Sequence, residues 1–398
     1  MSASNRVPVL DSRGATSVAR DLAGLLAKDA ATRDAERILP VQEVETLKAS
    51  GLLAVTVPPE YGGPGLSVET LTEVIRLVAS GDPSVAQIPH SHFVYINALN
   101  QQGNDEQKRR LFAAVLDGGS FGNAQSEIGT KHVRDYRTTL TPDGTGNWLL
   151  NGEKGYCTGA LFADWIPVLA HRDVDGPMGV AWVSRHAGGV EVTDDWAGMG
   201  QRTTASGTVR LTDVPVDDAL VMGYSENFDG PQTYGAFAQV LHAAIDAGIA
   251  RAALSEASEF VTTKSRPYPD AGVTRAADDP LIVHAFGEME LAVRGGEQLL
   301  AAAARAIDEA NEQLNEESAA AASLAVAAAR AATTDTSVMV SSRLFEVAGT
   351  RSALEGLNLN RHWRNARTHT LHDPASWKVQ HLGRYALEGI LPPNHGQI

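Results

Sequence analysis

Apolar positions divide the chain into three textures. Up to about residue 118 they recur at helical spacing, and Val41 to Leu53, Leu66 to Ala79 and Asn104 to Leu116 read as amphipathic helices. Pro58-Pro59 and Gly62-Gly63 end the first run. From Gly118 to about Gly223 the period shortens. Arg137–Leu140, Trp148–Leu150, Trp165–Ala170, Gly179–Val183, Val190–Thr193 and Thr208–Leu211 are short alternating or apolar runs. Pro142-Asp143-Gly144, Asn151-Gly152 and Asp175-Gly176 read as turns, so the zone predicts a β-barrel or sandwich. After Pro231 long helices return. Phe237, Leu241, Ile245 and Ile249 fall four apart, and Leu299–Ala310 and Ser318–Val340 are rich in small residues that let helices pack closely. The prediction is an α+β chain: an N-terminal helical domain over 1–118, a middle β-domain over 119–225 and a C-terminal helical bundle over 226–398.

Composition narrows the function. A net charge of -15 argues against nucleic acid and anionic membranes as partners. The single cysteine, Cys157, excludes an intrachain disulfide and fits a reducing cytoplasm. The first residues lack the apolar core of a signal peptide, and no run approaches the roughly 20 apolar residues that span a bilayer. The expectation is a cytoplasmic protein whose clustered cations serve a small anionic ligand.

Residues 361–374, RHWRNARTHTLHDP, hold the densest chemistry. Arg361, Arg364 and Arg367 are three apart, and His369 and His372 repeat the spacing, which places them near one another on a helix. The run is either a cationic, imidazole-rich face or a solvated charged one. His369 and His372 lack a third metal ligand at suitable spacing, so no metal is expected. Gly62-Gly63-Pro64-Gly65 lacks the strand-to-helix context of a phosphate loop and reads as a tight turn. Asn123 to Glu127, at a predicted strand end, and Lys154 to Gly159 combine small hydrogen-bonding groups with an aromatic ring. A planar heterocycle such as flavin needs that mixture, although ordinary strand ends supply it too.

Taken together, Pro59-Glu60-Tyr61-Gly62-Gly63, Ser126-Glu127, Tyr156-Cys157-Thr158 and the arginine run resemble the acyl-CoA dehydrogenase superfamily over essentially the whole chain. The resemblance implies a C-terminal four-helix bundle, with flavin between it and the β-domain, and a homotetramer. Where dehydrogenases of this type carry Tyr-Glu-Gly with a catalytic glutamate, this chain has His372-Asp373-Pro374. It is similar instead to the reduced-flavin monooxygenase branch, which holds dibenzothiophene monooxygenase and the sulfur-acquisition oxidoreductases linked to dimethyl sulfone use. The segments Thr158–Pro167, Gly200–Gly207 and Arg361–Pro374 look closest to the latter.

That resemblance implies catalytic roles for His372, Asn123 and Thr158, with His372 beside flavin C4a. It implies cofactor contacts from Ser91, Asn123, Ser126, Glu127, Tyr156, Cys157, Thr158, Thr350 and His372, and phosphate contacts from Arg266 and Arg351, partly across subunits. Trp196, Gln87 and His92 would face substrate; Gln87 and Ser91 stand where the dibenzothiophene enzyme has a histidine and a tyrosine, which favours a smaller molecule. The expected reaction is oxygenation of a small organosulfur compound by O₂ with FMN as FMNH₂, supplied by a separate NAD(P)H-dependent flavin reductase. No nicotinamide-binding fingerprint is present. The alternatives are an FAD-dependent acyl-CoA dehydrogenase using Asp373 and a non-catalytic flavin-binding protein.

Overall fold

The computed structural model describes residues 6–132 and 135–397. The first part is helical: α1 Ser12–Ala27, α2 Ala30–Glu36, α3 Val41–Ala49, α4 Val68–Gly81, α5 Pro83–Gln87, α6 His90–Gln102 and α7 Asp105–Leu116. Side chains satisfy the free N–H groups at helix starts. Asp11 caps α1 and Ser67 caps α4. A reciprocal Asn104–Gln107 capping box starts α7. Asp82 caps α5 while its other oxygen takes Arg33, so the short α5 leaves a fixed point and carries Gln87 inward. The Gly62-Gly63 segment is a tight turn: Gly65 N donates to Val57 O, and a Cβ on Gly63 would lie 2.1 Å from that carbonyl.

Seven strands form one sheet in the order β5-β6-β2-β1-β3-β4-β7. They are β1 Thr139–Pro142, β2 Trp148–Lys154, β3 Trp165–Arg172, β4 Met178–Ser184, β5 Val190–Thr193, β6 Thr208–Val216 and β7 Val221–Gly223. The β1–β3 pair is parallel and the others are antiparallel. Two sequence expectations change here. Asn151-Gly152 is not a turn but lies inside β2, where the ladder to β6 shifts register. The bulge is locked by an amide pair between Asn151 and Asp213, and Gly152 leaves room for Thr138, whose Oγ1 would sit 2.3 Å from an added Cβ. The segment before Glu127 is not a full strand. It meets β3 only through bridges at Phe121 and Ala124, which leaves the side chains after them free to serve a site.

The third part holds α8 Tyr234–Thr263, α9 Pro280–Glu312, α10 Glu316–Ala348, α11 Arg361–His369 and α12 Ala375–Glu388. The central pair is α8 and α10; α9 packs on both, α12 lies on α10, and α4 also covers α8. From Tyr234 to Ala250 every side chain of α8 except Ala238 is buried. A helix enclosed on all sides is apolar all round. Two polar residues in that stretch, His242 and Asp246, are one turn apart and therefore require partners.

Candidate flavin site

Three loops and two helices build one wall. Gly155 N donates to Ser126 O at 2.9 Å, and Asn123 Nδ2 donates to Tyr156 O at 3.1 Å, which clamps the 123–126 segment to 155–158. Cys157 N donates to Gly207 O at 2.9 Å and brings in the 200–207 loop. There Thr158, Ser206 and Thr204 form a hydroxyl chain, 2.7 Å at each link. Gly200 lets the loop touch α11, since a Cβ would lie 1.9 Å from Arg364 O. Asn365 Oδ1 then accepts Gln201 N at 2.7 Å.

Several polar atoms along this wall lack protein partners. Asn123 Oδ1, Gln87 Oε1 and both terminal atoms of the Gln201 amide are buried and unbonded. An unpaired buried polar group costs about 1–3 kcal/mol unless water or a ligand bonds it, and such atoms also occur away from this wall, at Tyr95 and Trp182. Tyr156, Gln201 and Ala205 hold left-handed backbone, at φ 56°, 49° and 47°. Such strain outside glycine costs on the order of 1–3 kcal/mol and gathers at functional sites. The Tyr156 ring is 54 % exposed and lies edge-on to Trp196, 6.3 Å between centroids. Trp196 is fixed by donating Nε1–H to Gln201 O at 2.7 Å. An exposed aromatic wall beside unpaired amides and hydroxyls fits a planar heterocycle with a polar edge, as flavin is.

The far side is a histidine cluster. His372 follows the end of α11 and keeps more than a third of its surface open, yet its ring is packed from behind by His369, at 4.9 Å, and His242, at 4.5 Å. Its Nδ1 meets His369 O at 2.6 Å and its Nε2 meets Gln87 Nε2 at 3.2 Å. Desolvation of the packed side of the ring above all, with the Arg330 cation nearby, pushes its pKa down to about 3, so the imidazole is neutral. His369 is fully buried, with Nδ1 on Asp246 at 2.6 Å and Nε2 on His242 Nδ1 at 3.1 Å. His90 stacks on His242 at 4.0 Å.

Several sequence expectations land elsewhere. His92 does not face substrate. It is fully buried, its Nε2 is on Leu53 O at 2.8 Å and its Nδ1 accepts Phe121 N at 3.1 Å, so it joins α6 to the β-domain. His90 and His92 are two apart on a helix and so point to different sides. The Glu127 carboxylate turns into the β-domain, where it binds Lys154 at 2.8 Å and Thr138 at 2.7 Å. Cys157 is buried, and burial raises its thiol to about 12, so only its backbone is available. The cationic face of α11 is largely neutralised: Arg361 pairs with Glu256 and Arg364 with Asp34, leaving Arg367 without a carboxylate among the described residues. A third imidazole near His369 and His372 does exist, His242 from α8, with ring nitrogens of the three within 4.8 Å. Ser91 is half-buried on α6.

Arg266, Thr350 and Arg351 are exposed and lie together, because Ser265 Oγ donates to Ala348 O at 3.0 Å and Arg351 donates to Lys264 O at 3.1 Å. Neither arginine meets a carboxylate among the described residues. They stand at the opposite end of the bundle from the histidines. Asp246 to the end of α8 is 17 residues and Arg330 to the end of α10 is 18, each roughly 25 Å of helix. One FMN does not span that gap within one chain.

Sequence reasoning missed Gln201, Ser206, His242, Asp246 and Arg330. For His242 and Asp246 the signal was present: two polar residues one turn apart inside the apolar run Phe237–Ile249.

A helical part, a twisted sheet and a helical bundle enclosing this recess define a flavoprotein of the acyl-CoA dehydrogenase type. Comparison with known proteins agrees. Profiles of the acyl-CoA dehydrogenase N-terminal, middle and C-terminal domains match residues 15–119, 123–214 and 240–377. Dibenzothiophene monooxygenase of Rhodococcus qingshengii is 32 % identical over 94 % of this chain and 93 % of its own. A probable FMNH₂-dependent monooxygenase, SfnC of Pseudomonas putida, is 29 % identical over 96 % of both. Among solved structures, FMN-bound TdsC of Paenibacillus sp. A11-2 superposes with TM-score 0.92 at 31 % identity, over 96 % of this chain and 100 % of its own. Methanesulfinate monooxygenase MsuC of Pseudomonas fluorescens gives 0.90 at 30 %, over 96 % and 99 %. The chain belongs to the acyl-CoA dehydrogenase family, and within it to the flavin-dependent monooxygenases.

Proposed function

We propose that this chain is the oxygenase of a two-component system. It takes reduced FMN from a separate NAD(P)H-dependent flavin reductase and oxygenates a small organosulfur compound, sulfide, sulfinate or sulfone, for sulfur acquisition. One oxygen atom of O₂ goes to the substrate, the other leaves as water, and the flavin returns oxidised. Bound FMN supplies the electrons and the carbon at which O₂ is activated.

One observation carries the choice of oxygenase over dehydrogenase. Asp373, at the position of the dehydrogenase base, is taken by Lys378 at 2.9 Å and Arg330 at 3.5 Å, while the adjacent neutral His372 opens to the recess. A carboxylate held by two cations is not free to turn toward a substrate proton. The neutral imidazole can exchange hydrogen bonds with an oxygen substituent. Asn123 and Thr158 add an amide and a hydroxyl on the other side, and Tyr156 and Trp196 exclude water. Gln87 and Ser91 favour a compact, polar substrate, in line with the methanesulfinate specificity named for MsuC.

The phosphate contacts complete the reading. Arg266 and Arg351 lie about 25 Å of helix from the histidines of their own chain, so they hold the FMN phosphate of a neighbouring subunit. That requires at least a dimer; our reading is a homotetramer, for which exposed Trp377, Val379 and Leu387 on α12 offer apolar surface.

The test is to load the protein with reduced FMN, add O₂ with methanesulfinate or dimethyl sulfide, and measure oxygenated product against hydrogen peroxide. Product formed in preference to peroxide supports the reading. Bound flavin reduced by an acyl-CoA, with no sulfur product, overturns it.

A further inference from the structure

The histidine cluster is wired from behind by a residue that never reaches the recess. Asp246 is fully buried on α8, and Arg330 from α10 lies against it as its counter-charge. The other Asp246 oxygen meets His369 Nδ1, and His369 Nε2 meets His242 Nδ1. Each contact dictates a proton position. A carboxylate only accepts, so His369 carries its proton on Nδ1. Arg330 already balances Asp246, so a second proton on His369 would leave an excess positive charge in a closed interior. His369 Nε2 is therefore a lone pair, and His242 must donate to it from Nδ1. His242 Nε2 is left as a lone pair, with no hydrogen-bond partner among the described residues. His372 reaches the same state independently: its Nδ1 faces a main-chain carbonyl and must carry the proton, so its Nε2 accepts from the Gln87 amide.

We propose that Asp246 is a positioning residue that sets the proton on His369 and, through it, on His242, so that the His242 ring packed against His372 offers its Nε2 lone pair as a second hydrogen-bond acceptor of the recess. The two rings are 4.5 Å apart and tilted by 36°, close enough for one O–H group to bond His242 Nε2 directly, or His372 Nε2 by displacing the Gln87 amide. Burial keeps His242 well below the usual histidine range, which preserves its lone pair at neutral pH. The inference rests on the oxygenase reading only for what the lone pairs are used for; the proton positions stand without it.

The proton positions are read by solid-state ¹⁵N NMR of flavin-free, histidine-labelled protein, with signals assigned by replacing each histidine in turn. All three rings are expected as Nδ1–H tautomers, although neutral histidine in water prefers Nε2–H. A doubly protonated His369, or His242 protonated at Nε2, overturns the proposal. The Asp246→Asn variant sharpens the test. Arg330 claims the remaining amide oxygen, so the NH₂ faces His369 Nδ1 and drives its proton to Nε2. His242 must then switch to Nε2–H in concert, while His372 does not change. A switch confined to His369 refutes the relay, and if the variant does not fold, the wild-type spectrum still decides. In the folded variant, at saturating FMN, the peroxide-to-product ratio is expected to rise at least tenfold with FMN affinity within twofold; an unchanged ratio removes His242 from the reaction while leaving the tautomer assignment intact.

Discussion

His372 combines two properties that usually exclude each other: packing that keeps it neutral and a surface open to a ligand. Truncating it removes the acceptor without touching the clamp between 123–126 and 155–158 or the exposed Arg266 and Arg351. His372→Ala is expected to bind FMN as wild type does and to consume O₂, but to lose about 10²- to 10⁴-fold in substrate oxygenation, the usual weight of acid–base assistance. Product and peroxide yields measure the split; normal oxygenation would make His372 structural. The family resemblance singled out Asn123, Thr158 and His372, and the fold clamps the segment of Asn123 against that of Thr158. Burial was not legible in this way. His92 was expected to face substrate and instead joins α6 to the β-domain, and Gln201 passed unnoticed because its backbone strain and its orphaned amide exist only after folding.

Among the elements, α11 is the strut that joins all three parts. Arg364 binds Asp34 at the end of α2 and donates to Met199 O at 2.9 Å; His362 and Arg361 bind Glu256 of α8. The Gly200 approach is the tightest joint. Gly200→Ala drives a methyl into the Arg364 carbonyl and breaks the bond from Gln201 N to Asn365, at a cost of about 1–3 kcal/mol. It is expected to lower the unfolding midpoint and weaken FMN binding together. Gly188→Ala, into open space, should stay within about 0.5 kcal/mol. Joint loss in both variants, or in neither, would contradict the strut. Element types were legible here from periodicity, since amphipathic helices and alternating strands announce themselves. The bulge in β2 was not, because Asn-Gly has the same local signature in a turn and in a bulge. The arginine run misled for a related reason: its partners, Asp34 and Glu256, are more than a hundred residues away in sequence.

For the molecule as a whole, buried neutral histidines set the acid limit. His90 and His92 are each lowered to about 4, burial being the first cause. The unfolded chain takes up these protons near pH 6.5 and the folded chain only near 4, so stability is full above pH 6.5 and falls as pH drops toward 4. For His92 alone the shift amounts to roughly 3 kcal/mol. Urea midpoints measured from pH 7.5 to 4.5 should decline, and the decline should be shallower in His92→Gln; a flat profile in wild type would contradict it. The three-part order was readable from texture alone. The distance of Arg266 and Arg351 from the histidines was not, because it is set by how far α8 and α10 run after folding.

That separation has a genetic consequence. If each site draws His372 from one subunit and Arg351 from another, the two lesions complement. Arg351→Ala should by itself weaken FMN binding by about 2 kcal/mol, readable by titration. His372→Ala by itself should stop oxygenation. Coexpressed, the two crippled chains assemble some sites that inherit both intact halves, together with sites that inherit neither. A cell carrying both defective alleles should then recover activity that neither allele provides alone.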